Sequence, residues 1–430
     1  MLDPLLIINI FIIIILVRGL YRSVRYRPLG KFYLPGLSLK LLAGIALGLY
    51  YIVFFQGGDT LLFYEDATRM ARSVFDKPGE YLSVMLYNDH STVLWGMLTL
   101  TDEPRALLMA KILSLFHILT NGNYWISGFY FSLFAYTGLW SLGDKLTTYF
   151  PWTRNAAIAG FIFFPSVLFW SSGVSKEAIS TGLIAWILSI YVPSLARGEG
   201  VAKRKVIMSL ILLFILWLLK YYYAAALIAI LIPTLIVSIL KRMSAGISWN
   251  FNKQILYWVS FLVWSVVIAS FIHPNLRLTN VMEVVSTNHA LYVQMSDPDN
   301  LISFRDFTPT FMGYVKNIHI AVWAGLFQPL PWGSEGYIKL IASLENLIIL
   351  VFAVFSILNI SRINVSNNGI LVIGAMTYIF LMAVFLAFST PNLGTLARYK
   401  SGFVFLFIYL VMADPVFKRF LIMKRKQPGK

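Results

Sequence analysis

Ionisable side chains are scarce in this chain, and the ones that stand out fall in short polar breaks between apolar runs, where a charge is costly unless something uses it. Asp59 in Gly57-Gly58-Asp59-Thr60, followed by Glu65 and Asp66, sets carboxylates at the mouth of an apolar run. They could accept a proton from an attacking hydroxyl or hold a divalent cation, or Asp59 could simply cap a helix. The glycines before Asp59 allow close backbone approach. A second break, Phe164 to Ile179 (FPSVLFWSSGVSKEAI), carries Lys176 and Glu177; Lys176 is the expected anion contact, while Glu177 also suits a helix N-terminus and its neighbour's charge. Lys220 precedes three tyrosines, and Arg398-Tyr399-Lys400 follows Pro391 to Ala397. A guanidinium takes two phosphate oxygens at once, which suits a diphosphate, whereas Lys400 could equally snorkel to lipid phosphates. Phe327-Gln328-Pro329-Leu330-Pro331-Trp332 reads as a rigid re-entrant turn with Trp332 able to stack on a sugar or to anchor at the interface. Glu335 lies beyond it, and Glu345 falls inside a span, where it needs a helix neighbour or a polar cavity.

These groups must be held by membrane helices. The chain has 430 residues, 58% hydrophobic and 13% charged, with many runs near the roughly 20 residues that cross a hydrocarbon layer. The expected fold is all-α and polytopic, a single transmembrane domain over 1–430. Spans are expected at 5–17, 38–55, 125–142, 156–171, 178–195, 206–219, 223–240, 255–271, 338–358, 369–388 and 401–413, eleven in all. Residues 105–119, interrupted by Lys111 and His117, suit a helix lying in the interface. With that choice, segments 18–31, 143–155, 196–205, 241–253, 360–368 and 414–430 hold 21 Lys/Arg and 3 Asp/Glu, against 13 and 15 in the segments facing the other way. The positive-inside bias then gives N-out, C-in; had 105–119 crossed, Lys203-Arg204-Lys205 and Lys241-Arg242 would face outward. Outer loops 57–124 and 272–337 are expected to cover a site on one membrane face, together with the Ser171 to Glu177 turn, Lys220 and Arg398.

Composition excludes several chemistries. Zero Cys rules out disulfides, thiolate metal sites and a cysteine nucleophile, and five scattered His lack zinc-ligand spacing. The formal charge of +16 fits inside-positive loops and anionic lipid; no basic, aromatic-studded soluble module suggests nucleic acid.

The segments GGDTLLFY, FPSVLFWSSGVSKEAI, FQPLPW with ENLIIL, and NLGTLARYK resemble those of bacterial multi-spanning proteins from polysaccharide gene sets, including EpsG-like and Wzy-like polymerases. A long acidic outer loop with juxtamembrane helices also resembles the GT-C class of integral membrane glycosyltransferases. One span more precedes the acidic loop here than in the GT-C pattern, Gln328 stands where a basic residue is expected, and Lys176-Glu177 where polymerase-like chains often carry an arginine.

The resemblance implies transfer from a polyprenyl-phosphate or polyprenyl-diphosphate sugar at the outer face of a bacterial inner membrane, with polyprenyl-linked glycan and membrane lipid as partners. Asp59, Glu65 or Asp66 would be the general base, and Lys176, Glu177, Arg398, Lys400, Lys220 and Trp332 would contact the substrate. No particular cofactor is implied, and a divalent cation is left open. The alternatives are a transporter or flippase of a lipid-linked glycan, or a scaffold subunit of an envelope complex.

Overall fold

The computed structural model describes residues 4–243, 249–272, 274–333, 337–358 and 369–413; Glu335 and the basic segments 360–368 and 414–430 lie outside them. The described residues are all-helical, with no strand and an isolated two-residue bridge. The helices are α1 (Pro4–Val24), α2 (Tyr33–Leu49), α3 (Asp59–Asp76), α4 (Pro78–Tyr87), α5 (Val93–Met97), α6 (Pro104–Thr120), α7 (Tyr124–Tyr149), α8 (Arg154–Ala157) and α9 (Pro165–Trp170). They continue with α10 (Lys176–Arg197), α11 (Lys203–Met243), α12 (Phe251–Ile272), α13 (Leu278–Met295), α14 (Phe311–Phe327), α15 (Tyr337–Leu358), α16 (Gly369–Ser389), α17 (Leu393–Tyr399) and α18 (Val404–Met412).

Seven described helical segments are long and apolar enough to cross a membrane: Pro4–Val24, Gly30–Phe55, Lys176–Arg197, Lys203–Met243, Phe251–Phe271, Lys339–Leu358 and Gly369–Ser389. Leu393–Gly402 and Val404–Met412, bent by 71°, would add an eighth as a broken pair. The chain is therefore a membrane protein by its helices. The run expected at 156–171 is broken instead: a π-helical turn over Ile158–Phe163 leads to Phe164 in extended conformation, and Pro165 opens a fresh helix. Helix α7 has the length to cross but carries Asp144 and Lys145 near its end.

Helix α11 merges the runs expected at 206–219 and 223–240, with a non-helical residue at Lys220 (φ −146°, ψ 77°). A straight helix of its 41 residues would run about 60 Å, twice a hydrocarbon layer. It does not run straight. Near its start, Ser209 hydrogen-bonds the Tyr191 hydroxyl at 2.7 Å, and at its end Arg242 donates to the Ser194 carbonyl at 3.4 Å. Tyr191 and Ser194 lie within one turn of α10, so α11 folds back on itself and Lys220 sits at the tip.

The core is built on close contact between α7 and α10. A Cβ on Gly138 would lie 2.6 Å from the Gly182 carbonyl, and one on Gly182 would lie 3.0 Å from the Ala135 Cα. Small residues let the two backbones touch, which is how helices gain packing where lipid removes the hydrophobic drive. Helix α1 is mostly exposed along its apolar length, as a lipid-facing helix would be, and is docked by one polar residue. The Asn9 amide donates to the Leu119 carbonyl at 2.9 Å and accepts from the Tyr130 hydroxyl at 2.7 Å.

Residues 57–124 fold into a helical cap rather than a loop. Asp66 is fully buried and accepts from the Thr99 and Leu100 amides and from Arg69. Lys111 donates to the Val84 and Met85 carbonyls and to Asn88, closing the C-terminus of α4. His117 packs its ring against Tyr64 and meets Thr68 at 3.1 Å. The polar residues that interrupt the apolar run at 105–119 thus hold α6 to α3 and α4. Helix α6 is not among the segments long and apolar enough to cross.

Candidate functional site

The turn between α9 and α10 is fixed before any charge is added. Buried Lys40 donates to the Val167 and Leu168 carbonyls at 3.0 and 3.3 Å and to the Ser171 hydroxyl, satisfying the last turn of α9 and countering its dipole. Gly173 takes φ +62°, which favours glycine, and its amide donates to Ser132 at 2.9 Å. Ser175 caps α10 by accepting from the Ala178 amide at 3.0 Å. Thr60, on the first turn of α3, donates to the Val174 carbonyl at 2.7 Å and meets the Tyr124 hydroxyl at 2.9 Å. That bond ties the acidic start of the cap to the Lys-Glu break.

Five charged side chains then meet there. Glu177, buried in the first turn of α10, pairs with Lys220 at 2.7 Å, and Arg398 Nε lies 3.6 Å from the same carboxylate oxygen. The other end of Arg398 reaches Asp59 at 3.1 Å and donates to the Tyr51 hydroxyl at 3.1 Å. Tyr51 comes from the π-helical turn that follows α2. Lys220 Nζ also stands 3.9 Å above the Tyr399 ring, a favourable cation–π contact. Lys176 lies over the Phe63 ring at 5.1 Å, and among the described residues its ammonium has no carboxylate partner.

Three cations and two carboxylates leave the group one positive charge in excess, suited to an anion. In this state it is closed. The cleft between Asp59, Glu177 and Arg398 holds about 10 Å³, the order of a single water molecule. The Arg398 Nε–H is buried and makes no hydrogen bond, so one guanidinium edge is left unsatisfied beside the carboxylate.

The structure sorts the expected residues. Asp59, Lys176, Glu177, Lys220 and Arg398 are brought together. Asp59 does not cap α3: Gly58 occupies that position, and the Asp59 carboxylate turns to Arg398. Glu177 pairs with Lys220 and Arg398 rather than with its chain neighbour Lys176. Asp66 is held inside the cap by four hydrogen bonds, and Glu65 is half exposed against Arg69 at 3.6 Å. Lys400 faces away from Arg398 and donates to the Gln328 carbonyl at 2.6 Å, on the side of Glu345, which accepts from the Ser166 amide at 2.8 Å. Gln328 thus supplies its backbone where a basic side chain was expected. Trp332 is 76% exposed, and among the described residues no hydrogen bond or ring contact joins it to the charged group. Lys40 and Tyr51 went unread: a lone lysine and a tyrosine inside an apolar span carry no spacing that would single them out.

Among the described residues no three His, Cys, Asp or Glu side chains are placed to hold a metal ion. Comparison with known proteins finds no family model, no curated protein and no solved structure that matches this chain.

Proposed function

We propose that the protein is a membrane glycosyltransferase or glycan polymerase that takes a polyprenyl-phosphate or polyprenyl-diphosphate sugar at the outer face of a bacterial inner membrane. In this reading the chain crosses eleven times, N-out and C-in, with α6 lying in the interface, the two arms of α11 each crossing once, and α8, its π-helical turn and α9 together making one broken crossing. The observation that carries it is the convergence of Asp59, Lys176, Glu177, Lys220 and Arg398, drawn from four separate helices, into one net-positive group between membrane helices.

The chemistry follows from the pairing. The acceptor hydroxyl oxygen bonds to the anomeric carbon, its proton goes to Asp59, and the carbon–oxygen bond to phosphate breaks with its electron pair leaving on the phosphate. Arg398 and Lys176 take up that growing charge, while Glu177 and Lys220 hold the guanidinium and the turn in place. Asp59 is tied to Arg398 in the closed state. A phosphate that takes over the guanidinium therefore frees the base at the moment substrate is bound.

The test is turnover of lipid-linked glycan by purified protein in lipid nanodiscs. Asp59→Asn and Arg398→Gln are each expected to abolish product while the protein stays folded. Unchanged product from both, or movement of the lipid-linked glycan across a vesicle with no change in its mass, would overturn the reading.

A further inference from the structure

A larger cleft lies on the other side of the α11 tip. It holds about 540 Å³, within the range of small-molecule sites, between the α4–α6 part of the cap and the end of the first α11 arm. Its walls include Asn88, His90, Trp95, Arg105, Trp217 and Tyr221, and no carboxylate is among its lining residues. The His90 and Trp95 rings meet at 4.3 Å, inclined at 45° to each other, and put two aromatic faces on the wall of the cleft. Arg105 lies 4.3 Å over the Tyr221 ring, and among the described residues it has no ion-pair partner. A stacked guanidinium keeps its N–H edge free to grip a planar anion in two places. Lys111 adds positive charge from behind but is spent on three backbone and amide oxygens, so Arg105 is the anion donor.

We infer that this cleft is a saccharide subsite, and that it takes a sugar unit bearing a carboxylate or phosphate. The aromatic faces stack on the sugar ring and Arg105 holds its anionic group. Tyr221 follows Lys220 directly, so the cleft and the Glu177–Lys220 pair are two sides of one turn. A glycan chain seated in the cleft would press on the residue that holds the charged group together. The inference deepens the glycan-transfer reading and rests on it for the class of ligand. Its test reads binding rather than turnover, so the two can fail separately.

The experiment is equilibrium binding of a radiolabelled glucuronate-containing oligosaccharide to the full chain in phosphatidylcholine nanodiscs, beside its carboxyl-reduced counterpart. Saturable binding is expected, at least ten-fold weaker for the reduced sugar and at least ten-fold weaker in Arg105→Gln, and unchanged in Arg72→Gln, an exposed arginine of α3 outside the cleft. Thr101 also lines the cleft, and Thr101→Trp, which puts an indole into it, is expected to remove binding of both sugars. No saturable binding, or equal binding by wild type and Arg105→Gln, overturns the inference. So does an Arg105→Gln variant that loses phosphatidylglycerol association but keeps the oligosaccharide, because the cleft would then be a lipid headgroup site.

Discussion

Glu177 shows how much of the site rests on one carboxylate. It is 3% exposed and faces two cations, and a buried ion pair tolerates replacement of both partners far better than loss of one. Glu177→Gln is expected to cost about 3–5 kcal/mol, because Lys220 and Arg398 would be left buried without their counter-charge. Adding Lys220→Met should recover part of that loss, and thermal unfolding of the two variants in detergent reads the difference. His117 gives a second prediction at this scale. Burial holds its imidazole down to about 4, below the usual 6.5, and its Nε2 has no hydrogen-bond partner. Above 6.5 the ring is neutral whether the cap is folded or not; below that the unfolded chain takes up the proton first. Stability of the cap should therefore fall as pH drops from 6.5 to about 4, by roughly 3 kcal/mol, and level off below. His117→Phe should flatten that slope in a pH series of melts. The charged residues themselves were legible in the sequence because ionisable groups are rare in an apolar chain. Their partners were not: the sequence offered Glu177 only a helix N-terminus or its neighbour's charge, whereas its contacts run to residues 43 and more than 200 positions away.

At the scale of elements, apolar run length was a good guide to where helices lie and a poor guide to where they break. The fold-back of α11 was readable because Lys220 and the tyrosines interrupt two apolar runs, and both flanks are basic. The chain has no cysteine, so single cysteines can be introduced cleanly. A cysteine at Arg204 and one at Lys241 are expected to react with a membrane-impermeant maleimide from the same side, and Tyr221→Cys from the opposite side. Labelling of 204 and 241 from opposite sides would mean α11 does not fold back. The break between α9 and α10 was also marked by Pro165 and the serines, but its stabilisation by Lys40 depends on a contact 131 residues away. Ser175→Ala, which removes the α10 cap, is expected to cost about 1 kcal/mol and to loosen the Lys176–Glu177 turn, seen as faster amide exchange there.

For the whole molecule, the sequence conveyed an all-helical chain with several helices long and apolar enough to cross a membrane. What it concealed is the organisation of residues 57–124 and 272–337. Both were read as covers over a site, and both contain packed helices. Helix α14 lies so close to α16 that a Cβ on Gly325 would sit 2.4 Å from the Ala383 carbonyl, and His289 meets the Phe388 carbonyl at 2.8 Å. Neither contact has a local signature, since each depends on which distant helix happens to be the neighbour. The proposed topology predicts that cysteines at Asp89 and Arg305 are labelled in intact cells, whereas those at Arg204 and Lys241 require permeabilised ones. The isolated bridge between Leu301 and Asn392 adds something further. The Ile302 amide donates to the Pro391 carbonyl at 2.8 Å, and the Asn392 amide donates to Ser296 at 3.0 Å, so the segment before α14 is stitched to the start of α17, which carries Arg398. The strap over residues 296–302 is thus held, by one backbone and one side-chain hydrogen bond, against the segment that leads into the Arg398 helix. On the proposed glycan-transfer reading, changes in residues 296–302 are expected to alter how readily substrate reaches the charged centre, while the five groups that compose it stay the same.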